Sequence, residues 1–237
     1  MCGVDIMEKM LSSDFIYSDI LDRIISLKLS PGSKISENKI CEDYNVSRSV
    51  IRHIFARLAQ INFLTVYPQR GTYVNYIDLE YIRNALLIRL SIEKEILYRF
   101  MQKEDKSDTI TKMEENMRQQ EKFYHENEYL MEFKELDEEF HNYIIMSVEN
   151  NAILPLINDH LLHISRWRNV YIKSGYKLSK LIDEHKSILE AIKANDTERA
   201  LRCMTNHIDT VSGIASLDPE YISYFKGADQ DYVKLMK

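Results

Sequence analysis

The chain has 237 residues, 45% hydrophobic and 29% charged, with a formal net charge of -6. That balance suits an ordinary globular protein with room for two modest domains, and its acidity excludes a surface that is basic throughout. Cys2, Cys41 and Cys203 are too scattered for a disulfide framework or a cysteine-pair metal site, and no signal-peptide pattern or membrane-length apolar run occurs, so a reducing cytoplasm without membrane attachment is the expected location.

Only 6 Gly and 4 Pro interrupt the chain, which favours long helices. The apolar period predicts a first helix over 15–29, and Pro31 with Gly32 then makes a turn. "SENKICEDYN" reads as a short second helix, with Ser36 as N-cap and Ile40 and Tyr44 inward. After a turn at Asn45 and Val46, "SRSVIRHIFARLAQI" gives a third helix with Ser47 as N-cap and Ile51, Phe55 and Leu58 buried. Two β-type runs follow, 64–67 and 72–76, joined by a turn at 68–71. This order is a winged helix-turn-helix over residues 1–76.

The charge within that module is polar. Residues 46–76 contain Arg48, Arg52, Arg57 and Arg70 and no Asp or Glu. Arg48 and Arg52 share one face of the third helix, in the turns a recognition helix offers to the major groove. Ser47 and Ser49 add hydroxyls suited to phosphate contact, and Arg70 and Gly71 stand at the hairpin tip. Arginines alone suit a solvated helix face equally well; the helix-turn-helix-wing order around them favours DNA.

Residues 77–237 read as an all-α bundle of six to seven helices, near 79–104, 108–126, 128–149, 151–173, 176–194, 196–216 and 218–225. The excess acid lies here. Several helices aim polar groups at their own apolar stripe. In "KELDEEFHNYII", Asp137 and His141 fall on the arc of Phe133, Phe140, Ile144 and Val148; His185 and His207 sit inside the stripes of two later helices. A lone inward histidine is usually a satisfied core residue, but three with a carboxylate suit one divalent ion per chain. Zinc heads the list; nickel, manganese and iron follow. One Asp and three His leave a position or two open for a small ligand. Arg168 and His160 lie on the inward arc of their helix and Arg166 points away.

The run "LSPGSKISENKICEDYNVSRSVIRHIFARLAQINFLTVYPQRGTYV" resembles the DNA-binding domain of GntR-superfamily bacterial regulators, through Pro31, Gly32, Glu37, Val46, Ser47, Arg48, Ser49, Ile51, Arg52, Leu58, Arg70 and Gly71. Asn45, Val50 and Asn62 stand where the pattern has Gly, Pro and Gly; Asn38 replaces an Arg of some members and His53 the usual Glu. The second half resembles the FCD effector domain of the FadR-like branch, through "LDEEFHNYIIMSVENNAILPLI", "DEHKSILEAIKANDTERA" and "MTNHI". The resemblance implies a metal held by Asp137, His141, His185 and His207. Through "IRLSIEKEI" it also implies an acidic ligand met by Arg89, with Glu93 one turn on. An internal Arg89–Glu93 ion pair that only orders the core is an equal alternative.

These readings lead to a homodimeric regulator that binds double-stranded operator DNA and senses a small organic acid at a buried metal, with Arg89, Glu93 and Arg168 lining the ligand site. The linker near residues 75–79 would carry the change between states. A metal-dependent hydrolase or oxygenase, or a metal-free helical ligand-binding regulator, are the alternatives.

Overall fold

The structure is a computed structural model and describes residues 12–148, 152–209 and 218–227. The chain divides into two compact units, Met1–Tyr76 and Ile77–Lys237.

In the first unit, α1 (Ser13–Ile25) starts where Ser12 Oγ accepts the Phe15 N–H at 3.1 Å. Its stripe of Ile16, Ile20, Leu21, Ile24 and Ile25 is buried. The helix stops short of residue 29 because Leu27 turns left-handed, with φ 65°. β1 (Lys34–Ile35) was not legible in the sequence, since two residues show no alternation. α2 (Glu37–Tyr44) is capped by Ser36, whose Oγ accepts the Lys39 N–H at 3.3 Å, and ends at Asn45 with φ 50°. α3 (Arg48–Gln60) buries Ile51, Ile54, Phe55 and Leu58. Ser47 takes the N-cap place but forms no side-chain capping bond, its Oγ lying 2.8 Å from Ser49 Oγ instead.

β2 (Leu64–Tyr67) and β3 (Gly71–Val74) form the hairpin, and β1 joins the other side of β3, giving an antiparallel sheet of order β1-β3-β2. The second hairpin strand ends at Val74 rather than residue 76, because Asn75 folds back: its N–H donates to the Phe63 carbonyl and its Nδ2 to the Asn62 carbonyl, both at 2.9 Å. Asn62 itself has φ 60°, a backbone that Asn tolerates better than most residues. Gly71, at the start of β3, has φ 113°, a backbone conformation that favours glycine.

The second unit is helical throughout its described residues, apart from one isolated β-bridge between Ile77 and Phe225. α4 (Leu79–Met101) is capped by Asp78, which accepts the N–H groups of Glu80 and Tyr81. α5 (Ser107–Gln120) gives way to a 3-10 turn at Glu121–Phe123, ending earlier than the expected 126. α6 (Met131–Ser147), α7 (Ile153–Lys173), α8 (Leu178–Lys193) and α9 (Thr197–Ile208) follow, and a 3-10 segment, Pro219–Tyr224, comes last. The expected continuation of α9 through Val211 and Ile214 lies outside the described residues. α4 packs on α6, α7 and α9, α5 on α6 and α8, and α8 on α9. Four of these helices, α4, α6, α8 and α9, surround the polar centre described next.

One expectation is overturned here. Arg166, placed toward solvent by the helical period, is 1% exposed. From Ile164 to Val170 every residue of α7 is buried, so that stretch has no solvent face. Burial pushes the Arg166 guanidinium down to about 9. Trp167 beside it is core, stacked on Tyr171 and edge-on to Phe225.

Candidate functional site

Asp137 and His141 are one turn apart on α6, and His185 and His207 come from α8 and α9. All four are at most 3% exposed. Each offers one ligating atom, and those atoms lie within 4.8 Å of one another. His141 Nε2 and His185 Nε2 are 3.0 and 3.2 Å from His207 Nε2, and Asp137 Oδ1 is 3.2 Å from His185 Nε2.

The far side of each ring explains the near side. His141 Nδ1 lies 2.6 Å from Glu93 Oε2, His185 Nδ1 2.7 Å from Gln120 Oε1, and His207 Nδ1 3.2 Å from Glu184 Oε2. The two carboxylates only accept, so the proton of those rings is assigned to Nδ1 and their Nε2 lone pairs face the centre. The same assignment at His185 gives three bare nitrogens pointing at one another. Asp137 Oδ1 joins them and has no hydrogen-bond partner. Four acceptors converging with no donor is unfavourable by itself and fits a divalent cation of the nitrogen- and oxygen-loving kind.

Electrostatics keeps Asp137, His185 and His207 deprotonated. Burial opposes charge on Asp137, yet the Arg168 guanidinium holds its carboxyl well below the usual carboxylate range. Burial pushes His185 down to about 4, against the pull of Asp137, and burial with the adjacent His185 and His141 pushes His207 well below its ordinary value. Asp137 divides its two oxygens: Oδ1 faces the histidines, while Oδ2 accepts from Arg168 Nη1 and from the Tyr129 hydroxyl.

Beside this centre lies a cavity of about 540 Å³. Arg89, Glu93, Asp137, His141 and Arg168 line it, together with the polar Tyr129, Asn142, Asn158 and Ser165 and apolar side chains from α6 and α7. Arg168 is 3% exposed and its Nη2 has no hydrogen-bond partner. Arg89 is already engaged: its Nε donates to Glu93 Oε1 at 2.6 Å, and Glu93 Oε2 takes the His141 N–H. The Arg89–Glu93 ion pair therefore forms, and it also lines the cavity. Burial disfavours the Glu93 carboxylate, but Arg89 and His141 hold its pKa at about 2. His160 does not line the cavity; its Nδ1 lies 2.9 Å from the Tyr81 hydroxyl.

In the first unit Ser47, Arg48, Ser49, Arg52 and Arg70 are exposed and Gly71 is half-buried. Arg52 Nε donates to both Glu37 oxygens, at 3.1 and 3.2 Å, which ties α3 to α2. Arg57 is occupied elsewhere, bonded to Asp14 at 2.8 Å and lying over the Tyr17 ring.

Sequence reasoning missed Gln120, Glu184, Tyr129 and Asn116. The buried face of α5 is Met113, Asn116, Met117 and Gln120, so two amides stand in an apolar stripe, the same signal that exposed Asp137 and His141. Glu184 gives no such signal, for it is half-buried at the edge of its stripe.

Two family models match the chain: "Bacterial regulatory proteins, gntR family" over residues 12–74 and "FCD domain" over 84–210. The HTH-type transcriptional repressor RspR of Escherichia coli (strain K12) is 28% identical over 197 residues, 83% of this chain and 86% of that one. The gluconate operon transcriptional repressor of Bacillus licheniformis is 26% identical over 220 residues, 88% and 87% of the two chains. Among solved structures, E. coli McbR/YncC matches with a TM-score of 0.68 at 16% identity, over 85% of this chain and 95% of that one, a likeness of fold. No helix among the described residues is long and apolar enough to cross a membrane. With a gntR module at its start and an FCD domain over more than half its length, the chain belongs to the gntR family of bacterial transcription regulators.

Proposed function

We propose that this regulator binds operator DNA through its first unit and senses a small organic acid at a divalent metal in its second. The observation that carries the reading is the convergence of three His Nε2 atoms and the partnerless Asp137 Oδ1 beside a cavity lined by Arg168, whose Nη2 is also partnerless. Asp137, His141, His185 and His207 would hold the ion, zinc first and nickel, manganese or iron as alternatives. A bound cation would supply a Lewis-acidic position for a carboxylate oxygen. Arg168 would bind a second oxygen of the same group, and Arg89, fixed by Glu93, would add positive charge to the wall. Asn142, Asn158 and Ser165 would suit hydroxyls further along the ligand, a hydroxy acid of the kind the name of the gluconate operon repressor suggests.

Ser47, Arg48, Ser49, Arg52, Arg70 and Gly71 form the proposed DNA-contacting set, and all lie on or beside the recognition helix and wing. Two chains would read a palindromic site as a homodimer; Leu87 and Ile88, side by side and exposed on α4, are apolar surface available for that pairing. The ligand acts by binding DNA-competent and DNA-incompetent states unequally. The enzyme reading is weaker, because Glu93, its inward acid, is engaged by both Arg89 and His141. A thermal-shift screen of small organic acids, with and without chelator, tests the proposal. A hydroxy acid that stabilises the metal-loaded protein and loses that effect after chelation is expected; stabilisation indifferent to chelation would rule out the metal as part of the ligand site.

A further inference from the structure

The three inner histidines are not oriented in the same way. His141 and His207 each face a carboxylate, which can only accept, but His185 faces the neutral side-chain amide of Gln120. An amide offers an oxygen or an NH2 according to how it is turned. Turned one way, Gln120 accepts the His185 Nδ1–H and leaves Nε2 bare for a cation. Turned the other way, it donates to Nδ1 and forces the proton onto Nε2, where it blocks the centre.

The choice is made two residues further along a buried chain. Gln120 Nε2 donates to Asn116 Oδ1 at 2.6 Å, and Asn116 Nδ2 donates to the Leu136 carbonyl at 3.0 Å and to Glu139 Oε2 at 3.3 Å. A backbone carbonyl and a carboxylate are both acceptors only. Asn116 must therefore present its NH2 to α6 and its oxygen to Gln120; Gln120 must then present its NH2 to Asn116 and its oxygen to His185. Reversing the chain would set Asn116 Oδ1 against the Leu136 carbonyl in a region where Asn116 is 3% exposed and Gln120 and His185 are fully buried.

We propose that Asn116 and Gln120 form a polarity relay, anchored on the acceptor-only Leu136 carbonyl, that sets the metal-binding tautomer of His185. Neither residue touches the ion; both are positioning residues for it. The relay leaves α5 and returns to α6 one residue before Asp137, so the same chain that orients His185 is fastened beside another proposed ligand. The inference rests on the metal reading given above.

The test is Zn²⁺ titration of the untagged full chain in competition with a chromophoric chelator, alongside long-range ¹H–¹⁵N spectra of the metal-free, histidine-labelled protein. Signals of His185 are assigned by a His185→Gln variant. The relay requires metal-free wild-type His185 to carry its proton on Nδ1. Gln120→Met keeps the volume, removes the acceptor and should lower Zn²⁺ affinity about 10–100-fold, the usual cost of losing such a partner. Gln120→Glu keeps an oxygen for the Nδ1–H and should lose less than Gln120→Met. A proton on Nε2 in the wild type, or wild-type Zn²⁺ affinity in a folded Gln120→Met, overturns the relay while leaving the metal site intact. Should Gln120→Met not fold, the wild-type tautomer decides alone. A wild type that binds no Zn²⁺ removes the metal reading itself, and the relay with it.

Discussion

Truncating Asp137 removes more than one proposed metal ligand. Its Oδ2 is the partner of the buried Arg168 Nη1, so Asp137→Ala leaves a guanidinium uncompensated in the interior. Removing one member of a buried pair typically costs about 3–5 kcal/mol. Urea unfolding of the chelated variant should show a loss of that order, and Asp137→Ala with Arg168→Met should recover much of it. Acid should act on the chelated wild type in two stages. His185 lies at about 4 when folded against 6.5 unfolded, and Glu93 at about 2 against 4.5. Both groups bind protons more weakly in the native state, so the unfolded chain takes up more protons and stability falls as pH falls. The His185 contribution is complete above 6.5 and is lost down to about 4; that of Glu93 is complete above 4.5 and is lost down to about 2. Unfolding midpoints across that range should decline first near pH 6, and His185→Gln should make the earlier decline shallower while leaving the part that His207, also held below its ordinary value, contributes.

Individual elements differ in how much of them could be read in advance. α3 and α4 follow from long apolar periods, α3 with Ser47 at its N-cap place; the Asp78 cap of α4 is visible only in the structure. Element ends were less legible: Leu27 stops α1 in a left-handed backbone unusual for a leucine, and Asn75 stops β3 through hydrogen bonds to Phe63 and Asn62 that no local period records. Asp137 and His141 stood out as polar residues in an apolar stripe. The Arg168–Asp137 pair and the Glu184–His207 contact join residues distant in sequence, and no spacing rule reaches them. Arg166 fails for a related reason: the stretch of α7 from Ile164 to Val170 is buried on every side and has no outward face to predict. α3 also carries its own test. Arg48→Ala should weaken binding to random-sequence duplex DNA and lower the salt slope by about one. Arg57→Ala should leave that slope unchanged and reduce thermal stability, since Arg57 is held by Asp14 and Tyr17.

For the molecule as a whole, the family sets the frame: a gntR module and an FCD domain in one chain, with any effector working through a coupling between two sites. Such couplings are typically about 1–3 kcal/mol and are reciprocal, so a ligand that loosens DNA binding fivefold must itself bind about fivefold more weakly to the DNA-bound protein. Anisotropy titrations in both directions check that equality, and chelation should abolish the coupling in both.

The central claim is that three helices hold one divalent ion between Asp137, His141, His185 and His207, and the most direct measurement is elemental analysis of untagged protein. About one equivalent per chain is expected in the wild type, as purified or after Zn²⁺ addition and desalting, falling to a small fraction in His185→Ala and His207→Ala. A wild-type chain that retains no divalent metal under either condition, or a His185→Ala chain that retains as much as the wild type, would contradict it.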